Sequence, residues 1–331
     1  MSFSSTVPRN SRNARVLGLT LGVMGLAASS GSALAQTYPQ GFTYSGGVYT
    51  TLNAPGADFV IPYGVNDAGT IVGFAVSPTV AGPFVYSNGS YNVQNGPANA
   101  SQYYAAINNS SAKLLVTYTF GTTTPFPSSI TSSLVTGSGT TPIVVPGSTN
   151  TAASGVNTSG EIVGVYNLTF DLSTGTTSAA SFLYNNGVYT TVSVPGSLST
   201  FVSGINDQGQ IVGSFTDSHG VYHGFIDTAG SFTTLDASGA QGTYLDGINN
   251  AGQIVGTYLL NGQSYGFLDV NGQFTLIDPG PNFQVEALAL NNVGEIVGWG
   301  LAPPGPIPGA GLSGLGAIAL GGLAVRRRRA A

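Results

Sequence analysis

The chain has 331 residues, a formal net charge of −5 at pH 7 and no cysteine, which excludes disulfide bonds and thiolate metal sites. Between residues 36 and 302, thirteen acidic residues stand against one basic residue, Lys113, so this part carries a net charge of −12 (1 − 13). Because phosphate groups are bound by basic surfaces, nucleic acid and anionic membranes are excluded as partners. We interpret the acidic surface as a source of solubility, with cation binding as the alternative.

The first 35 residues have the layout of a secretory signal. Arg9, Arg12 and Arg15 precede an apolar run at residues 16–28, and Ala33 and Ala35 supply the small side chains that a signal peptidase reads. An N-terminal membrane anchor is the alternative, but the apolar run is shorter than the roughly 20 residues that a spanning helix needs. We therefore expect export and cleavage before Gln36.

The body of the chain is built from a repeat. NDQGQIVG at residues 206–213 returns as NDAGTIVG, NTSGEIVG, NNAGQIVG and NNVGEIVG, and NNSSAKLLV is a worn copy that starts at Asn108. Neighbouring copies start 42 to 49 residues apart (108 − 66 = 42 and 157 − 108 = 49, for example). A period in the forties is typical of solenoids and propellers. Asparagine and glycine favour tight turns, so each intact copy predicts a hairpin turn, marked by Asn66, Gly69, Asn157, Gly160, Asn206, Gly209, Asn249, Gly252, Asn291 and Gly294.

Each unit holds four short strands with one long connection to the next unit, which is the plan of a propeller blade. The strand ending in Gly-Ile-Asn is expected innermost, and Ile-Val-Gly is expected on the second strand, buried between blades. The last unit lacks two strands, and residues 41–52 match residues 224–235 closely. The sequence therefore predicts an all-β, six-bladed propeller over residues 36–302, in which the N-terminal strands complete the last blade. An open β-solenoid is the alternative.

The C-terminal segment, residues 303–331, combines a proline stretch, an apolar run at residues 312–325 and four arginines. It predicts a marginal membrane helix followed by a cytoplasmic basic cluster. This layout resembles the sorting signals of PEP-CTERM proteins and implies a sorting enzyme of the exosortase type as a partner. The sequence has Pro-Ile-Pro where that family has Pro-Glu-Pro, and a simple tail anchor is the alternative. The residues concerned are Pro306, Pro308, Arg326, Arg327, Arg328 and Arg329.

The repeats also resemble those of HAF-repeat extracellular bacterial proteins. In that family Gly-Ile-Asn, x-x-Gly-x-Ile-Val-Gly and a Gly-Phe-Leu-Tyr-like strand recur, and residues 41–300 follow the pattern. The resemblance implies an exported repeat protein located at the cell surface or in the extracellular matrix. It implies no particular activity.

No catalytic constellation is visible in the sequence. The two histidines, His219 and His223, lie close to Asp217 and suggest either a weak metal site or a solvated loop pair, which we favour. Asp67 and Asp207 lie in turns that resemble calcium loops, but each turn offers one carboxylate at most. Further carboxylates that a glycosidase would need are spread over strand ends, where a turn role explains them: Asp227, Asp236, Asp269 and Asp278.

Aromatic residues are the better candidates for ligand contact, although packing within blades explains most of them. The residues are Tyr38, Phe42, Tyr44, Tyr49, Tyr103, Tyr104, Tyr189, Tyr222, Tyr244 and Trp299. We therefore expect a non-enzymatic, structural or adhesive module for polysaccharide or surface proteins, without a cofactor. An extracellular polysaccharide hydrolase or lyase that uses propeller carboxylates is the alternative, and a calcium-stabilised surface protein is a third possibility.

Overall fold

The computed structural model describes residues 40–77, 81–97, 100–120, 127–171, 176–278 and 284–301. The predicted cleavage site at Ala33 and Ala35 and the predicted sorting signal at residues 303–331 lie outside the described residues. Across the parts of the chain that are described, no helix has the length and apolar character needed to cross a membrane.

The described residues form six antiparallel sheets of four strands each, which we call blades one to six. Blades one to three contain β3 (Phe59–Val65), β4 (Ile71–Val76), β5 (Ala81–Ser87) and β6 (Ser90–Val93); β7 (Ala100–Ile107), β8 (Lys113–Phe120), β9 (Pro127–Thr136) and β10 (Gly139–Ile143); and β11 (Thr151–Val156), β12 (Ile162–Asp171), β13 (Thr176–Asn185) and β14 (Val188–Val192). Blades four to six contain β15 (Ser199–Ile205), β16 (Ile211–Thr216), β17 (Tyr222–Thr228) and β18 (Ser231–Thr234); β19 (Gly242–Ile248), β20 (Ile254–Leu260), β21 (Gln263–Val270) and β22 (Gln273–Leu276); and β23 (Gln284–Leu290), β24 (Ile296–Leu301), β1 (Gln40–Ser45) and β2 (Val48–Leu52).

Blade six is assembled from both ends of the body, as the sequence predicts. Its strand order is β2-β1-β24-β23, so the first two strands of the described chain complete the sheet that the last two begin. In the β1–β24 pair, Thr43 lies opposite Val297. The predicted six-bladed propeller is confirmed, and the open solenoid is wrong, because closure joins the two ends in one sheet.

The first strand of each blade is the innermost strand, because neighbouring first strands approach each other closely. A Cβ atom added at Gly155 would lie 3.1 Å from the Cα atom of Gly204, and one added at Gly204 would lie 3.3 Å from the Cα atom of Gly247. A β-bulge interrupts the pairing of each first strand just before this point. Small residues are therefore required where the strands crowd around the axis.

The second strand of each blade supplies the core between blades. In blade one, Ile71 and Val72 point to opposite sides of the sheet and are both fully buried. Ile71 packs in a cluster with Val297 of blade six, whereas Val72 packs against Tyr104 of blade two. Burial of both faces explains why this strand consists of β-branched residues and does not alternate with polar ones.

Blade two departs from the other blades at the turn where the repeat is worn. The glycines at this position of the other turns have positive φ angles, for example 77° at Gly209, and Ser111 occupies the same place with a φ of 62°. Ser111 is therefore held in a left-handed conformation that disfavours side chains. The turn keeps its geometry without its glycine because the hydrogen bond from Ser111 N to Asn108 O, at 3.0 Å, is retained.

Candidate functional site

The candidate site is the mouth of the central channel into which the six Asn-containing turns project. A cavity of about 70 Å³ opens here. Its walls come from all six blades and consist of the last apolar residue of the first strands together with the first two residues of the turns. These polar turn residues are Asp67, Asn108, Asn109, Asn157, Thr158, Asn206, Asp207, Asn249, Asn250, Asn291 and Asn292.

The first residue of every turn belongs to a closed ring of hydrogen bonds, which we call the asparagine ring. In it, the side-chain amide of each asparagine donates to the backbone carbonyl of the equivalent asparagine in the next blade. Asn66 donates to Asn108, Asn108 to Asn157, Asn157 to Asn206, Asn206 to Asn249, Asn249 to Asn291, and Asn291 to Asn66, over 2.8 to 3.3 Å. All six asparagines are buried. The last bond joins blade six to blade one, so the ring spans the closure of the propeller.

Each ring asparagine also fixes its own turn. In blade four, the Oδ1 atom of Asn206 accepts hydrogen bonds from the backbone N–H groups of Gln208 and Gln210, at 3.2 and 2.9 Å. The side chain thus needs an acceptor for its own turn and a donor for the next blade. Aspartate serves well in isolated turns, but an ionised aspartate has no donor, and the single hydrogen of a serine or threonine hydroxyl is one fewer than the two that the asparagine amide supplies. The dual requirement explains why asparagine occupies this position in all six blades, including the worn one.

The second residue of every turn belongs to an outer ring at the mouth. In five of the six turns its backbone N–H donates to the side-chain oxygen of the equivalent residue in the next blade, as in the 2.9 Å bond from Asp207 to Asn250 and the 2.8 Å bond from Asn292 to Asp67. Both rings run in the same direction around the axis. The members of the outer ring are Asp67, Asn109, Thr158, Asp207, Asn250 and Asn292.

The two aspartates of the outer ring lie three blades apart and are both tied to their neighbours. Asp67 accepts hydrogen bonds from the side-chain amides of Asn109 and Asn292, at 2.8 and 2.9 Å. Asp207 accepts from Asn250 and from Thr158, at 2.7 and 3.2 Å. Burial alone would raise the pKa of Asp207, but these hydrogen bonds outweigh it and hold the pKa below its usual value. Asp207 is thus kept ionised.

Two glutamates lie beside the rings, also three blades apart. Glu161 accepts hydrogen bonds from Asn157 and Asn185, at 2.6 and 2.7 Å. Glu295 lies in the equivalent position of blade six, where Asn291 donates to it at 3.4 Å. Burial raises the pKa of Glu295. The mouth therefore gathers four carboxylates on one face of the propeller, in an arrangement that repeats after three blades.

The polar groups at the mouth are carboxylate and amide oxygens, and most of them accept hydrogen bonds from amide N–H groups. A glycosidase needs a carboxylic acid with a raised pKa as proton donor; burial raises the pKa of Glu295, whereas hydrogen bonds hold the pKa of Asp207 below its usual value. Hard oxygen donors suit calcium, but within the described residues no group of three or more acidic or histidine side chains is arranged to hold a metal ion. The hydrogen bonds at the mouth join neighbouring blades to one another.

The two histidines differ in their surroundings, and only His219 has the exposure of the predicted solvated loop pair. His219 is exposed (83% of its side chain), but His223 is only 28% exposed and lies between two carboxylates. Its Nδ1 atom is 2.7 Å from Asp236, its Nε2 atom is 3.6 Å from Asp217, and its ring stacks on Phe215. Asp236 was predicted only as a turn residue. The strand register, which brings residue 236 beside residue 223, was the signal that could have identified it.

Neighbouring groups shift the pKa values of His223 and Asp217. Burial would lower the pKa of His223, but Asp236 first and then Asp217 outweigh it through hydrogen bonds and charge attraction, so the pKa is raised. The hydrogen bond from the backbone N–H of Val221, with a further one from His219, lowers the pKa of Asp217 to about 2. The cluster ties the β16–β17 loop to the segment after β18 while His223 is protonated.

The other predicted acids are separate from the mouth. Asp227 and Asp269 are buried and accept hydrogen bonds from the glycine N–H groups of the outer turns, Gly230 and Gly272, at 2.7 and 3.1 Å. Burial raises the pKa of Asp227. These two carboxylates therefore act in turns, as their positions at strand ends indicate.

Most of the predicted aromatic candidates are packing residues. Three blades carry a tyrosine pair across the outer hairpin, namely Tyr44 with Tyr49, Tyr86 with Tyr91, and Tyr184 with Tyr189, with ring centroids 4.6 to 4.9 Å apart. The hydroxyl group of Tyr189 also accepts a hydrogen bond from Val144 N of the preceding blade at 3.0 Å. Tyr222 and Tyr244 contact each other between blades four and five. Their rings strengthen the contacts between blades.

Comparison with known proteins supports the fold. No protein-family model matches the chain, and no curated protein matches its sequence. A putative TolB from Agrobacterium tumefaciens resembles it with a TM-score of 0.55 and 12% identity over 80% of this chain and 98% of that chain. The β-propeller domain of the trilobed protease from Pyrococcus furiosus has a TM-score of 0.46 at 12% identity, covering 73% and 77% of the two chains. A lectin from Aleuria aurantia in complex with a fucose-containing sugar has a TM-score of 0.40 at 12% identity, covering 70% and 84%. At this identity, the likeness to TolB shows the propeller fold alone.

Proposed function

We propose that the chain is an exported repeat protein of the cell surface or extracellular matrix. In this proposal it serves as a non-catalytic structural or adhesive module whose ligand is a polysaccharide or another surface protein. The signal-like layout of residues 1–35, the sorting-signal layout of residues 303–331 and the resemblance to HAF repeats support export. The lack of arginine between residues 36 and 302 argues against a nucleic-acid ligand.

The observation that carries the non-catalytic part is the hydrogen bonding of the mouth. Asp67 and Asp207 are the carboxylates of the axial cavity, and both accept side-chain hydrogen bonds from neighbouring blades. These hydrogen bonds join neighbouring blades, and the lowered pKa of Asp207 makes that carboxylate a poor proton donor. In this proposal the carboxylates of the axial cavity serve the stability of the propeller.

The experiment is a comparison of binding with turnover. The purified full chain is incubated with a panel of surface polysaccharides, and bound protein and newly formed reducing ends are both measured. We expect binding to at least one polysaccharide without reducing ends. Turnover that disappears in both Asp67→Asn and Asp207→Asn, while the variants remain folded, would contradict the proposal.

The alternative of a polysaccharide hydrolase or lyase is favoured by one observation. Four carboxylates, Asp67, Glu161, Asp207 and Glu295, gather on one face, and the pKa of Glu295 is raised by burial, as in a general acid. In the screen above, this alternative predicts turnover that Glu295→Gln abolishes. Loss of turnover in that variant, with binding retained, would favour the enzyme.

Export and sorting have their own test. A chain that lacks residues 303–331 is expected to pass into the medium without attachment, whereas the complete chain is retained at the surface through an exosortase-type enzyme. A variant with glutamine at Arg326, Arg327, Arg328 and Arg329 is the matched control for charge. An unchanged location after the deletion would contradict the sorting proposal, leaving the binding proposal to its own experiment.

A further inference from the structure

The outermost strands of the six described blades carry no charged side chain. Thirteen acidic residues are available in the chain, yet none lies in these strands, and among them proline occurs once, in β10. Natural proteins protect exposed sheet edges with lysine, proline or inward-pointing charges. The strands are VYTTL (β2), SYNV (β6), GTTPI (β10), VYTTV (β14), SFTT (β18) and QFTL (β22).

Two of these edges are nearly identical. Residues 47–51 and residues 187–191 both read Gly-Val-Tyr-Thr-Thr, and β2 and β14 share the same pattern of buried and exposed residues. Val48 is 65% exposed and Val188 is 63% exposed. Valine, tyrosine and threonine are the residue types that favour strands. The chain therefore presents the same strand-forming edge twice.

The two edges lie on opposite sides of the ring. β2 belongs to blade six and β14 to blade three, and three steps in a ring of six is half a turn. The same half-turn relates Asp67 to Asp207 and Glu161 to Glu295 at the mouth. The placement of the two edges on opposite sides of the ring follows the same approximate two-fold relation.

The backbone of each edge is free to pair on its outer side. β2 is the terminal strand of its sheet and pairs with β1 in a ladder that closes at Ser45 and Val48. In an antiparallel ladder the backbone groups of successive residues point alternately toward and away from the partner strand. Since Val48 is in the closing pair of a two-residue hairpin, Tyr49 and Thr51 point their backbone groups outward. The same reasoning applies to Tyr189 and Thr191.

We propose that β2 and β14 are self-association edges through which copies of this chain join end to end into linear filaments. An edge of one copy pairs antiparallel with an edge of the next, and two four-stranded blades become one eight-stranded sheet. The partner is a second copy because the two edges share the sequence Gly-Val-Tyr-Thr-Thr and the same pattern of exposed residues, so that each edge finds a matching, uncharged edge on another copy. Opposite placement of the edges gives an open chain and not a closed ring.

The test uses charged edge variants of the full chain, followed by sedimentation velocity and negative-stain electron microscopy. Thr50 and Thr190 are exposed and equivalent, so Thr50→Lys blocks one edge and the pair Thr50→Lys/Thr190→Lys blocks both. We expect the wild-type chain to form filaments whose length grows with concentration, each single variant to stop at dimers, and the double variant to be monomeric. Thr233→Lys on β18 is the matched control and is expected to assemble like the wild type.

The result that overturns the proposal is a wild-type chain that stays monomeric at high concentration. Assembly of the double variant to the same length as the wild type also overturns it, because it shows that another surface drives association. Val48→Lys/Val188→Lys is a second double variant, which places the charge on different exposed side chains. Circular dichroism identifies any variant that fails to fold, and the folded double variant then decides the outcome.

Discussion

Replacement of Asn206 by alanine tests the asparagine ring most sharply. The Asn206 side chain makes four hydrogen bonds and is only 3% exposed. Its amide donates to Asn249 O and Gln210 Oε1, at 3.1 and 2.8 Å, and its Oδ1 atom accepts from the N–H groups of Gln208 and Gln210. Since a hydrogen bond contributes about 1 kcal/mol net, and buried partners left without one cost about 1 to 3 kcal/mol, we expect a loss of about 3 to 4 kcal/mol in unfolding free energy.

The assay is equilibrium unfolding of the full chain in urea, with intrinsic fluorescence and circular dichroism as independent probes. Asn92→Ala on β6 is the matched control, because Asn92 is an exposed asparagine. The control is expected to change the free energy of unfolding by less than about 0.5 kcal/mol. If Asn206→Ala costs less than about 1 kcal/mol, or no more than Asn92→Ala, the ring does not stabilise the propeller and our reasoning is refuted.

Three further predictions concern the worn turn, the histidine cluster and metal ions. Ser111→Gly should raise the unfolding free energy by about 1 kcal/mol and Gly209→Ala should lower it by at least as much, because both positions have positive φ angles; a change of the same sign in both variants in urea unfolding would contradict this. Because the folded pKa of His223 is raised above 6.5, its stabilisation is complete below that pH and is lost as the pH rises through the folded pKa. The melting temperature of the wild type should therefore exceed that of His223→Gln at about pH 5.5 and equal it at about pH 8.5, and a difference that does not change with pH would speak against the cluster. Addition of a chelator should leave the melting temperature unchanged. A protein that is stabilised by a bound metal melts at a lower temperature once the metal is removed, so a clear decrease would establish a calcium-stabilised protein instead.

Much of the fold follows from the sequence because the repeat is carried by residues with strict backbone requirements. Glycine at Gly209 and its equivalents marks a left-handed turn, and the β-branched Ile-Val pair marks a strand buried on both faces. The half-unit at residues 41–52 indicates closure, because it supplies the two strands missing at the other end. These are local signals that recur, so each copy supports the others.

The asparagine ring is the part that sequence reasoning missed. Turn propensity alone accounts for asparagine at Asn206 and its equivalents, and it gives no reason to look for a bond to a residue more than 40 positions away. A signal was nevertheless present in the worn blade, where Asn108 persists although its glycine is replaced by Ser111. A residue kept after its turn has degraded indicates a second role, and here that role is the hydrogen bond from Asn108 to Asn157 O.

The pairing of His223 with Asp236 could not be read from spacing alone. The two residues are 13 positions apart, His223 in β17 and Asp236 after β18, and only the register of the two strands brings them together. The same limit applies to Asp67 and Asp207, which are 140 residues apart (207 − 67) and meet neighbours from other blades at the mouth. Such contacts depend on ring closure, which local patterns indicate only indirectly.

The most direct test of the sealed six-bladed ring uses the fact that the chain has no cysteine. Thr43 and Val297 are paired Cα positions across β1 and β24, the seam between the two ends of the body. We predict that the variant Thr43→Cys/Val297→Cys forms an intramolecular disulfide under mild oxidation and loses both free thiols, since paired strand positions satisfy disulfide geometry. Thr43→Cys/Val212→Cys, with the second cysteine at the equivalent buried position of blade four, is the control and should keep its thiols. Free thiols in the seam variant, or equal oxidation of the two variants, would contradict closure of the ring by the N-terminal strands.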